Sequence, residues 1–123
     1  MIRPKRLVEV GIVVRDLKRS LKWYRKKFGF KRIFAVSNGV VIGDRHVHLW
    51  IAQVRNPARA RKPDYRRDIC MRLITFEVSK RDLRRVEAEF PEDRHIAWIE
   101  HPKYFSAIVE DPDGHAIELL VTK

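Results

Sequence analysis

Residues 104–123, YFSAIVEDPDGHAIELLVTK, read as two strands joined by a tight turn. Phe105 to Val109 is an apolar run; in Asp111-Pro112-Asp113-Gly114 the proline presets φ and the glycine accepts φ above zero; alternation follows from Ala116 to Val121. Side chains on a strand alternate, so Ala116, Glu118 and Leu120 share one face while Ile117, Leu119 and Val121 share the other. One face is wholly apolar and the other carries a single carboxylate. A charged Glu that is buried and unpaired costs several kcal/mol, so Glu118 is expected to meet water, a cation or a metal. An ordinary half-exposed strand Glu is the competing reading.

Upstream of this hairpin, Leu7 to Val14 (LVEVGIVV) is β-rich, with Val8, Val10, Ile12 and Val14 on one face and Glu9, Gly11 and Val13 on the other. Asp16 suits the N-cap of a helix from Leu17 to about Phe28, whose inward stripe is Leu17, Leu21, Tyr24 and Phe28, and Gly29 stops it. Short strands are expected around Lys31 to Val36 and Val40 to Gly43. In Arg45 to Gln53 (RHVHLWIAQ), His46, His48 and Trp50 project together, opposite Val47, Leu49 and Ile51.

From Val54 to Asp68 the pattern fails: two prolines and six Lys/Arg stand there without periodicity, which reads as a linker. The order then recurs. Ile69 to Val78 is a strand, Ser79 with Asp82 opens a helix with Leu83, Val86 and Phe90 inward, Pro91 closes it, and strands around Ile96 to Ile99 and Phe105 to Val109 lead to the terminal strand. Each half reads strand, helix, then three strands, an internal repeat in which LVEVGIVVRDL pairs with RLITFEVSKRDL and GDRHVHLWI with PDGHAIELLV.

The composition bounds the function classes. A chain of 123 residues suits one domain, and a lone cysteine, Cys70, forms no internal disulfide and reads as a small buried hydrophobe. The basic N-terminus lacks a signal-peptide core and no apolar run approaches a spanning helix, so a cytoplasmic protein with no membrane contact is expected. Lys plus Arg number 27 against 16 acidic residues, a net charge of +11 that favours anionic ligands or a solvated, salt-bridged surface. Nucleic acid is not expected as a partner: the linker cations Arg55, Arg59, Arg61, Lys62, Arg66 and Arg67 have aromatic-poor flanks and no recognition motif.

Three segments, VEVGIVVRDLKRSLKWYRKKFGF, LITFEVSKRDL and FSAIVEDPDGHAIELLV, together resemble the vicinal oxygen chelate superfamily, which includes glyoxalase I, bleomycin-resistance proteins, fosfomycin-resistance enzymes and extradiol dioxygenases. The resemblance covers nearly the whole chain. It implies an α+β fold of two βαβββ modules, whose curled mixed sheets surround a shared cavity. It divides residues 1–123, as a single glyoxalase-like domain, into module one at about 5–53, a linker at about 54–68 and module two at about 69–123. It also implies a homodimer, and so long a linker permits modules to be exchanged between chains.

In metal-using members of that superfamily, ligands come from the first and last strands of each module. Carried onto this chain, the positions are Glu9, His48, Leu73 and Glu118. An aliphatic side chain donates no lone pair, so Leu73 removes one corner, and one His with two carboxylates is left for Zn, Ni, Co, Mn or Fe. His46 is the possible substitute ligand, or supports the others from behind. The independent strand reading places Glu9, His46, His48, Leu73, Thr75, Glu77 and Glu118 on the faces away from the helices. Without the resemblance, His48 reads as a partly exposed cross-strand histidine.

The resemblance then implies a metal-dependent enzyme of the lyase, isomerase or dioxygenase type, acting on a small oxygenated substrate that chelates the ion through two neighbouring oxygens. Glu118 or Glu9 serves as the base. The alternative is a metal-free protein of the same fold that sequesters a small, anionic ligand. Trp50 and Trp98 read as core or pocket wall, Glu77 as a surface pairing group, and His95, His101 and His115, in or beside turns, carry no assignment.

Overall fold

The first helix shows how closely local signals set the elements. Asp16 adopts an extended conformation, its side chain accepts from the Arg19 amide at 3.1 Å, and α1 runs Leu17–Phe28 until Gly29, at φ 69°, closes it in the left-handed region. In this computed structural model, which describes residues 1–123, β1 (Val10–Val14) precedes α1, and β2 (Lys31–Val36), β3 (Gly39–Gly43) and β4 (His48–Gln53) follow. The strands form a mixed sheet in the order β1-β4-β3-β2. Only β1 and β4 are parallel, as a helical crossover allows.

The second half repeats this as β5 (Leu73–Glu77), α2 (Lys80–Leu83), α3 (Val86–Glu89), β6 (Ala97–His101), β7 (Tyr104–Glu110) and β8 (Ala116–Thr122), with sheet order β5-β8-β7-β6 and β5 parallel to β8. The fold is therefore α+β, two βαβββ modules with open four-stranded sheets. By contact density the chain forms two units, Met1–Ala60 and Arg61–Lys123.

In each unit the helices cover one side of its own sheet, in the second only in part. In the first, Ile12, Val14, Leu49, Ile51, Val40 and Ile42 pack beneath Tyr24, and the rings of Trp23, Tyr24, Phe28 and Phe30 form an edge-to-face and stacked cluster. In the second, Ala107, Val109, Ile117 and Leu119 pack with Leu83, Val86 and Phe90. The inward stripe of α1 includes one residue that apolar periodicity passes over: Ser20 is fully buried, and its hydroxyl has no hydrogen-bond partner.

Several sequence expectations are corrected. The first strand starts at Val10, so Leu7, Val8 and Glu9 lie outside it, exposed. The strand expected from Arg45 starts at His48, because the Asp44 carboxylate accepts from the His46 and Val47 amides at 2.7 and 2.9 Å and makes those residues a turn. The strand expected from Ile69 starts at Leu73. The second helix breaks into two single turns, although its cap forms, with Ser79 Oγ accepting from the Asp82 amide at 3.0 Å. Cys70 is exposed, not buried.

Candidate functional site

The β7–β8 hairpin builds the most chemically distinctive point of the second unit. Its turn forms as the residues dictate: the Gly114 amide donates to the Asp111 carbonyl at 3.0 Å, and Gly114 sits at φ 85°. The Asp111 side chain is buried, accepts from the Asp113 and His115 amides at 2.9 and 2.8 Å, and pairs with His115 Nδ1 at 2.7 Å. This anchoring sets the register that places Glu118 opposite Ile108 on β7 and Thr75 on β5.

Glu118 is only 9% exposed. Thr75 Oγ1 donates to its Oε1 and Ser106 Oγ to its Oε2, both at 2.8 Å, and no Lys, Arg or His pairs with it. The half-exposed reading is therefore overturned, and its immediate partners are two hydroxyls. Ser106 is fully buried while Thr75 is exposed, so the Oε1 end of the carboxylate lies toward the open side. A carboxylate offers about four acceptor positions, and the two hydroxyls leave about two vacant. Such a group, aimed by neutral donors and short of charge compensation, fits a cation ligand or a proton acceptor.

The neighbours of Glu118 on this face follow from register. Leu73 and Ala116 are opposite each other, as are Glu77 and Leu120, so Leu73, Thr75, Glu77 and Glu118 do share the face turned away from α2 and α3. Leu73 brings no donor to it.

In the first unit, β4 carries His48 and Trp50 on the face away from α1, opposite the buried Leu49 and Ile51. Trp50 registers with Gly11 on β1 and Val41 on β3, and a Cβ at Gly11 would lie 3.4 Å from the indole, so the glycine lets the ring lie flat across its strand. Val13 and Phe34 are exposed on the same side, Phe34 in the row of Val41 and Trp50 and Val13 beside Ala52. Glu9 stands one residue before the β1–β4 ladder begins at Val10 and Leu49. His46 belongs to the exposed turn before β4, where Arg45 Nε donates to its Nε2 at 3.3 Å, so it is not on the strand face assigned to it.

Within neither unit do three His, Cys, Asp or Glu side chains gather closely enough to hold a metal. Sequence reasoning placed Thr75 on the right face without a role and passed over Ser106. The signal for Ser106 was a lone hydroxyl in the apolar run Phe105 to Val109, two residues from Ile108 on the Glu118 face. His115 had no assignment, and its role is the turn contact to Asp111.

The family model described as Glyoxalase/Bleomycin resistance protein/Dioxygenase superfamily matches residues 6–119. Among curated proteins, none matches in sequence. The fold is similar to a glyoxylase/bleomycin resistance protein/dioxygenase domain from Frankia sp. EAN1pec, with a TM-score of 0.84, 18% identity, and 98% of this chain and 94% of that one covered. A lactoylglutathione lyase from Agrobacterium tumefaciens aligns with a TM-score of 0.68 at 18% identity over 96% and 94% of the two chains. The fosfomycin resistance protein FosX from Listeria monocytogenes, solved with Mn(II) and sulfate, aligns with a TM-score of 0.71 at 15% identity over 98% and 93%.

Proposed function

This chain belongs to the Glyoxalase/Bleomycin resistance protein/Dioxygenase superfamily, and from that premise we propose that it is a divalent-metal-dependent enzyme of the lyase, isomerase or dioxygenase type, acting on a small oxygenated molecule. The observation that carries the reading is Glu118, a buried carboxylate held by two hydroxyls with no cation beside it. An uncompensated buried carboxylate lowers stability, and an apolar residue of similar volume would not. Function is the reason to keep it.

In this reading Glu9, His48 and Glu118 would hold the ion. Glu9 and His48 come from the first module and Glu118 from the second, so donors of two modules must meet, in one chain or across a homodimer. When bound, a divalent ion stabilises negative charge developing on the substrate oxygens it contacts. Glu118 or Glu9, released from the ion or lying beside it, would take a proton from a substrate carbon and return it. Thr75 and Ser106 hold the Glu118 carboxylate in one orientation, and Trp50, two residues along β4 on the same face, stands beside His48. The net charge of +11 favours an anionic substrate.

Leu73 favours a second reading, a metal-free protein that sequesters a small anionic ligand. Elemental analysis of protein purified without chelator and saturated with Mn(II), Zn(II), Ni(II), Co(II) or Fe(II) separates the two. About one ion per site, lost in both His48→Ala and Glu118→Gln variants of native circular dichroism, supports the enzyme. An absence of stoichiometric metal under replete conditions removes it and leaves sequestration.

A further inference from the structure

The face of the second sheet opposite Glu118 is incompletely covered. The first module seals the corresponding face with the 12-residue helix α1, but the second has only the four-residue turns α2 and α3. Leu83 of α2 is buried against this side, while Trp98 on β6 and Phe105 on β7 remain 41% and 38% exposed. Their rings lie 5.8 Å apart with planes 22° from parallel, and with Leu83 and Val121 they floor an open groove of about 770 Å³. That volume is within the range of small-molecule sites.

The groove's charge is of one sign. Lys80, Arg84 and Lys123 stand at its edge, and no acidic side chain lines it. Lys123 makes one long contact, 3.5 Å, to the exposed Glu100, while Lys80 and Arg84 have no carboxylate partner. Two aromatic rings stacked on each other and still partly exposed, with unneutralised cations beside them, are complementary to an apolar aromatic body carrying an anionic head. A second copy of this chain would bring a like-charged rim against it and is disfavoured.

We propose that the groove between α2 and the β6–β7 edge is a binding site for a small aromatic carboxylate, separate from the Glu118 face. The apolar body packs against Trp98 and Phe105, and the carboxylate accepts from Arg84 and Lys80.

Titration of the isotopically labelled full chain with 2-naphthoate, and with the neutral 2-naphthamide, tests this by NMR. Saturable shifts of the Trp98 indole N–H and of the Leu83 and Arg84 amides support the site, provided the amide binds about tenfold or more weakly and Arg84→Glu costs naphthoate a similar factor. Lys80→Glu supplies the same comparison should Arg84→Glu not fold. Equal binding of acid and amide, shifts centred on Thr75 and Ser106, indifference to both charge reversals, or no saturable shift overturns the proposal. So do Trp98 signals that move with protein concentration alone, which mean that a second copy covers the groove. None of these outcomes bears on metal binding at Glu118, because the two faces are read by different signals.

Discussion

Ser106 and Glu118 are diagonal neighbours across the β7–β8 ladder: Ser106 registers with Leu120, yet its hydroxyl donates to Glu118 Oε2 at 2.8 Å from a fully buried position. The inner oxygen of the carboxylate therefore depends on one donor, and that dependence can be measured.

Ser106→Ala is expected to destabilise the protein by about 1 to 3 kcal/mol, the cost of leaving a buried acceptor unmet. Glu118→Met removes the desolvated charge and is expected to be as stable as the parent or more so. In that background Ser106→Ala becomes neutral or stabilising, since the serine hydroxyl no longer has a partner. Urea unfolding of the four proteins in the cycle checks it; a cost for Ser106→Ala that is the same in both backgrounds would mean the hydrogen bond carries none of it.

Ser20→Ala is expected to raise stability by about 1 kcal/mol. The Ser20 hydroxyl is buried without a partner inside α1, and alanine both removes that polar group and favours the helix. Thermal unfolding reads this directly, and a lower midpoint for the variant would show that the hydroxyl finds a partner in solution.

The β3–β4 turn is expected to weaken in acid. Burial works against ionising the Asp44 carboxyl, but hydrogen bonds from the His46 and Val47 amides and the charges of His46 and Arg45 outweigh it and hold its pKa below the ordinary 3.8. A pKa depressed by folding contributes stability that is present above 3.8 and lost as pH falls through the lower folded value. Carboxyl-detected NMR should give an Asp44 midpoint below 3.8, with the His46 and Val47 amides following the same curve. A midpoint at or above 3.8 would contradict the turn's geometry.

Local chemistry made much of the architecture legible. The Asp16 and Gly29 caps, the period-2 strands and the Asp-Pro-Asp-Gly turn each act within a few residues, and their recurrence disclosed the two modules. Errors arose where a short-range competitor outweighed periodicity. Asp44 captured amides that a longer β4 would have used, so His46 left the strand. The second helix breaks in the middle in spite of a formed cap, and its two single turns leave Trp98 and Phe105 open on a face that apolar pattern alone would have sealed.

What the sequence by itself determined is the order of elements and, within the paired spans of β4, β5, β7 and β8, which side chains share a face, because backbone periodicity and capping are local. Whether Glu118 is wet or buried, and which hydroxyls hold it, depended on β5 and β7 flanking β8, with Thr75 43 positions away along the chain. Burial and hydrogen-bond partnership are properties of strands brought together from distant parts of the chain. Only the tertiary structure decides them.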